Sequence, residues 1–308
     1  MNNSISLVEK PDPYSALRFW EFRNFTVARL CITIASQMQA VIVGWQIYEI
    51  TKDPLSLGLI GLAEAIPSIS VLLFAGHLTD ISSRKKIVLS SVFLMTFCSI
   101  MLLFITSDSN QILTTNKLVL IYSAIFLSGI GRGFSAPSFF AFVSQLVPKE
   151  KLPNAITWNT TSWQTGAVTG PAIGGLLYSF IGVTNTFTVV LIFWTIAIFL
   201  ILPITQKPIP EIIGIQSLKE KLTVGLKFVF KNKIILSCIS LDLFAVLFGG
   251  AVALLPIFAG EILFVGPEGL GMLRAAPSIG AVVMAILMTR RPFTKNACLL
   301  YTSPSPRD

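Results

Sequence analysis

The chain has 308 residues, 53% of them hydrophobic and only 12% charged, with a mean hydropathy of +0.76. A soluble domain carries about 25% charged residues, so this composition excludes a water-exposed globule and points to apolar membrane spans with a few charges between them. The net charge of +8 is not a nucleic-acid footprint, because Lys and Arg cluster between apolar runs and form no single stripe interleaved with aromatics.

Residues 1–24 are polar and carry Lys10, Arg18 and Arg23. They contain no short apolar core ahead of a small-residue cleavage site, so an uncleaved N-terminal segment is expected. A membrane helix needs about 20 mostly apolar residues. Eight stretches meet that length: 25–50, 55–78, 87–105, 118–146, 155–181, 186–204, 234–264 and 269–287. The first six are expected to form one bundle over 25–205, with short connections rich in Pro, Gly, Asp and Lys that make neighbours antiparallel. The longest connection, 206–233, holds Ser217 and Glu220 as an S-x-x-E capping box ahead of Leu218, Leu222, Leu226 and Val229. Their helical spacing, with lysines between, predicts a linker helix lying on the inner membrane surface. The last two spans fall within 234–289 and a loop follows at 290–297.

Orientation follows from the loops. With the N-terminus inside, the inner segments hold eighteen of the 23 Lys and Arg, and the outer loops hold only Lys52 and Lys117. An internal repeat accompanies the spans. Gly61, Ala65, Pro67, Ser68 and Ile69 recur as Gly271, Ala275, Pro277, Ser278 and Ile279, an offset of 210 residues. The same offset carries the start of the first span, residue 25, to the start of the seventh, residue 235. A duplicated unit is therefore expected, six spans plus the first two of a second copy that should continue for about four more. The turn-rich tail 298–308 looks like a translated sequencing adapter and is set aside from fold reasoning. Cys31, Cys98 and Cys238 are isolated within apolar runs, fitting neither a metal site nor a disulfide framework. No metal and no cofactor are expected.

After the second span come Gly76, Leu78, Asp80, Arg84 and Lys85. A Gly permits close helix approach, and an Asp near helix ends can bond exposed N–H groups and a nearby Arg. The run resembles the G-x-L-x-D-r-x-g-r-k signature of the major facilitator superfamily, with Ile81 in place of a basic residue and Ser83 in place of Gly. The resemblance implies an all-α polytopic fold, here a complete first six-helix bundle and a second truncated to about two helices. It also implies that this loop latches the cytoplasmic side in the outward-facing state. Span five carries Gly166, Gly170, Pro171, Gly174 and Gly175. Glycines four apart share a helix face and allow close packing, while Pro171 can bend the helix. This resembles the superfamily's exporter and antiporter motif and favours export, although an ordinary packing face reads the same way. Arg132 in span four resembles the superfamily's span-four arginine. Gly44-Trp45-Gln46, Leu241-Asp242-Leu243 and Arg274 with Pro277 extend the likeness, over residues 18–297, to an enterobactin-exporter-like branch.

Charges in mid-span are costly and mark pathways by default. Glu64, Arg132, Asp242 and Arg274 are such charges, and Glu64 and Arg274 occupy equivalent repeat positions with opposite signs. They are expected to face one cavity, or else to form structural pairs between helices; Asp242 belongs either to that cavity or to an inner gate. Gln37, Gln39 and Gln46 either line the same cavity or serve as packing glue. A carboxyl group in a desolvated cavity can exchange protons near neutral pH, and a neighbouring Arg opposes its protonation, which links proton release to substrate binding. The expected activity is proton-coupled export of a small organic molecule, siderophore-like or drug-like, by a monomer in a bacterial inner membrane. The partners would be that substrate, the proton and the lipid bilayer, with no nucleic acid. A non-transporting receptor or assembly subunit that reuses the fold is the alternative. No phosphate loop, nucleophile elbow or His-rich cluster suggests an ATP-driven pump or an enzyme.

Overall fold

The computed structural model describes residues 12–107, 117–208 and 227–290, and among these every regular element is helical. Helices α1 (Trp20–Thr51), α2 (Pro54–Ile81), α3 (Arg84–Thr106) and α4 (Lys117–Leu146) enclose the first four expected spans. Next comes one helical run, Leu152–Ile201, interrupted at Gly182 with φ 75° and ψ 175°. Fifty residues in one straight helix would reach about 75 Å, more than twice the roughly 30 Å hydrocarbon core. Gly182 solves this, because only glycine enters that backbone region without penalty. The limbs are α5 (152–181) and α6 (183–201), close to the two expected spans. The interruption at Gly182 falls in the expected connection between spans five and six, and α5 runs through Pro171 with helical dihedrals.

The seventh expected span, 234–264, is not one helix. Helix α7 (Lys233–Phe248) gives way to a 3-10 turn at Gly249–Leu254, a short α8 (Leu255–Ile257) and a π turn at Phe258–Ile262. Paired glycines at 249 and 250 weaken the helix, and Pro256 can only start a new one. Helix α9 (Gly266–Arg290) contains the eighth span. The expected linker helix, with Ser217 and Glu220, and the adapter-like tail lie outside the described residues.

Helix α1 is the core of the bundle. Phe22, Phe25, Ala28, Ala35, Met38, Ile42 and Ile47 on it are all fully buried. Small residues, not large ones, set how closely the others approach. A methyl group added at Gly166 would meet Thr33 Cβ at 2.7 Å, at Gly170 Gln37 Cβ at 2.7 Å, and at Gly174 Met38 Cα at 2.9 Å. The glycine face of α5 therefore lies directly on the backbone of α1. On its other side, a methyl at Gly175 would meet Gly271 Cα of α9 at 2.9 Å.

Polar ties close the rims. Asp53 caps α2, accepting from the Ser56 hydroxyl (2.9 Å) and from the Ser56 and Leu55 amides (3.0 and 3.2 Å). The Ser56 hydroxyl bond, with the two amides, holds the Asp53 carboxyl below the usual carboxylate range. At the opposite end Glu21 of α1 accepts from Lys207 Nζ at 2.6 Å and the Thr205 amide at 2.9 Å, pinning the end of α6 to the start of α1. Residues 12–18 cross the start of α5, where Asn154 Nδ2 and Trp158 Nε1 donate to the Pro13 carbonyl at 2.8 and 2.9 Å.

Gly170→Ala should lower the melting temperature of the detergent-purified protein, by the equivalent of about 1–3 kcal/mol of overpacking. Gly58→Ala, where an added methyl meets open space, should leave it unchanged or raise it. Equal effects would refute direct α1–α5 backbone contact.

Candidate functional site

A cavity of about 470 Å³ lies between α1, α2, α4, α5 and α6 on one side and residues 252–278 on the other. Its lining includes Gln37, Gln39 and Gly44 from α1, Glu64 from α2, Ser128 and Arg132 from α4, Pro171 from α5, Trp194 from α6, Pro256 from α8 and Arg274 from α9. Three of the expected charges thus meet: Glu64, Arg132 and Arg274. The two repeat-equivalent positions, 64 and 274, face the same space from opposite sides.

Arg132 Nη1 lies 2.7 Å from Glu64 Oε1, with the two side chains 46% and 26% exposed. Glycines beside the arginine make this pairing possible. A methyl at Gly129 would sit 2.5 Å from the Glu64 carbonyl oxygen, and one at Gly133 2.7 Å from that of Ser68. These glycines, four residues apart, lay α4 on α2, while a methyl at Gly131 would face Met95 of α3 at 3.1 Å. Any larger residue at 129 or 133 would lift Arg132 away from Glu64. Arg274 reaches the cavity differently: its Nη2 lies 3.7 Å from where a Gly44 methyl would be, and its Nε is buried without a hydrogen-bond partner among the described residues.

The glutamines divide. Gln39 lines the cavity and accepts from Ser99 of α3 at 2.5 Å; Gln37 lines it beside Gly170. Gln46 is buried away from the cavity lining, with its Oε1 unpartnered among the described residues. Asp242 also stays outside the cavity, exposed on α7.

Sequence reasoning missed three further charges. Glu49 accepts from Trp45 Nε1 and from Tyr178 of α5, both at 2.7 Å, and Glu261 accepts from Tyr48 at 3.4 Å. Both carboxylates stand near the end of α1 at Thr51, where span ends are ordinarily read as interface. Arg29, counted above with the inner segments, lies 4.2 Å over the Phe139 ring inside the bundle. An arginine four residues into an expected span was the available signal.

In the loop motif, Arg84 Nη1 donates to the Ala141 carbonyl at 2.6 Å and to the Ser144 hydroxyl at 3.0 Å, and Lys85 Nζ donates to the Leu202 carbonyl at 2.7 Å. Both cations sit near the ends of α4 and α6, where the helix dipole favours positive charge, and Leu202 lies just past the last residue of α6. The Asp80 side chain lies outside what is described. Among the described residues an added methyl at Gly76 would meet open space, so no close helix approach is made there.

Contacts between the bundle and residues 249–290 gather at one end. Gly175 meets Pro267 and Gly271, Tyr48 meets Gly260 and Glu261, and Gly44 meets Pro256. Further along α9, Ile279 and Val283 are exposed.

Fold and cavity together define a polytopic α-helical membrane protein of the major facilitator architecture. Residues 12–304 match the transmembrane secretion effector family, and the chain belongs to it. It is similar to the multi-drug resistance efflux pump PmrA of Streptococcus pneumoniae, 32% identical over 136 residues, covering 42% of this chain and 31% of that one. It is also similar to the putative multidrug resistance protein MdtD of Yersinia pestis, 29% identical over 129 residues, covering 42% and 26%. The matched segments thus span less than a third of each curated relative. Among solved structures, a bacterial homolog of the human lysosomal transporter Spinster, inward-facing and unoccupied, aligns with a TM-score of 0.61 at 16% identity, over 89% of this chain and 63% of that one. A POT family transporter bound to 5-aminolevulinic acid aligns at 0.50 and 16% identity, over 74% and 47%. At that identity the likeness concerns the fold. The family and these relatives are transporters, not enzymes.

Because the Glu64–Arg132 pair is open to the cavity, a double-mutant cycle with Glu64→Gln and Arg132→Gln in thermal unfolding should give a coupling of at most about 1 kcal/mol. A coupling several times larger would mean a sealed, structural pair.

Proposed function

We propose that the protein is a secondary transporter that exports a small organic molecule in exchange for protons, through alternating access about the cavity. The observation that carries this reading is the Glu64–Arg132 ion pair, open to the cavity yet set among apolar spans. A charge pair needed only for packing is better sealed, whereas a pathway charge must reach water and substrate. Protonation of Glu64 removes the negative partner of Arg132 and frees the guanidinium for another ligand. Deprotonation restores the pair and expels that ligand, so one position is used alternately by proton and substrate.

Export is favoured by the family's description as secretion effectors and by the efflux names of its relatives. Those names also favour a drug-like molecule over a siderophore-like one. A bacterial plasma membrane, with the N-terminus cytoplasmic, agrees with the eighteen inner and two outer cations. In that orientation the contacts among Gly175, Gly271, Tyr48 and Glu261 lie at the outer end, which supports a cavity closed on that side. Rocking of the bundle against the α9 side would break these contacts and expose Glu64 to the exterior.

In inverted membrane vesicles from producing cells, Glu64→Gln and Arg132→Ala should each reduce proton-driven accumulation of efflux dyes to background. Substrate-induced proton movement should vanish with it. Accumulation unchanged by both replacements would overturn the site assignment.

A further inference from the structure

We infer that the cavity receives an organic anion, whose acidic group seats on Arg274 beside Arg132 while its apolar body lies against Trp194 and Ile125. This deepens the transport reading above and rests on the same cavity.

Charge is the first ground. Among the described residues that line the cavity, the ionisable groups are Glu64, Arg132 and Arg274, one negative and two positive. Glu64 is already engaged by Arg132 at 2.7 Å. Arg274 has no carboxylate within salt-bridge distance among the described residues, and its Nε is buried and unpartnered. A guanidinium keeps its proton, and here it is partly removed from water, at the cavity wall, with no carboxylate against it, which is unfavourable. A ligand that brings a carboxylate or similar group supplies the missing counter-charge, since the guanidinium fork donates to two oxygens side by side.

Space is the second ground. Gly44 lets the Arg274 guanidinium lie close along α1, where an added methyl would come within 3.7 Å of Nη2, and both residues line the cavity. A volume of about 470 Å³ falls within the roughly 300–1,000 Å³ of organic-ligand pockets and exceeds what a bare inorganic ion needs. The remaining lining is neutral, with the hydroxyls of Ser36, Ser128 and Ser278 and the buried Trp194 ring. Such a surface suits an aromatic or alicyclic body and offers a cationic ligand only Glu64, which Arg132 already occupies.

The test compares three probes with one apolar body: 2-naphthoate, 2-naphthamide and 2-naphthylmethylammonium. Equilibrium dialysis against the full chain in detergent, corrected with empty micelles, gives the affinities. The carboxylate should bind about tenfold or more tighter than the amide, the scale of a charge-assisted hydrogen bond, and the ammonium weakest. Arg274→Gln should bring carboxylate and amide within about twofold of each other, the size of a neutral hydrogen-bond difference, while amide affinity is retained as proof of an intact cavity. Arg274→Lys should keep part of the preference. Equal binding of the three probes, or a carboxylate preference that survives Arg274→Gln, would overturn the inference. No proton gradient is present in the assay, so a failure of proton coupling alone would leave the anion site standing.

Discussion

Helix α5 is the constraint on which the rest of the structure depends. Its glycines at 166, 170 and 174 rest on the backbone of α1, and Gly175 on its other side rests on Gly271 of α9. In a bilayer no hydrophobic force drives helices together, because lipid tails are as apolar as Leu. Close backbone contact, with its dense van der Waals packing, is what remains, and it needs residues without side chains at the crossing. Two glycine faces on one helix therefore fix the α1–α5–α9 arrangement. Gly129 and Gly133 do the same between α4 and α2.

The cavity's charges follow from those crossings. The α2–α4 contact brings Arg132 within 2.7 Å of Glu64. The α5–α9 contact carries Arg274 over Gly44, into the same space. Helices held at this separation leave a volume that their small residues cannot fill, and the charged groups surround it. Arg84 and Lys85, outside the cavity, bind the ends of α4 and α6 and so steady the same helices from their rims. The glycine motif of span five, the arginine of span four and the loop signature, widely separated in the chain, thus act on one set of helices.

Much of this was legible because membrane spans are read by length. The short breaks at Lys52–Asp53, Ser82–Ser83 and Gly182 stand out as polar or glycine interruptions of apolar runs. Glu64, Arg132 and Arg274 were legible for the complementary reason that charge is rare and costly in such runs. The face each residue presents was not legible. In a soluble helix apolar periodicity reveals the buried side, but here lipid-facing and core-facing residues are equally apolar. Hence Gln39 and Gln46 looked alike, although one lines the cavity and the other does not, and the sequence left Asp242 between cavity and inner gate, while the cavity lining excludes it. The broken seventh span was readable in principle from Gly249, Gly250 and Pro256, but total hydropathy over 234–264 concealed the break. Glu49 and Glu261 escaped notice because carboxylates near span ends pass for interface residues.

Glycine crossings, above all Gly175 on Gly271, assemble a charged cavity shared by the first bundle and α9. The most direct measurement is a cryo-electron microscopy map of the protein in lipid nanodiscs, enlarged by a rigid antibody fragment. In that map α5 and α9 should cross at these glycines with no side chain or lipid between them, and Arg132 should lie within hydrogen-bond reach of Glu64. A map with α9 detached from α5, or with Arg132 turned to the lipid, would contradict this arrangement.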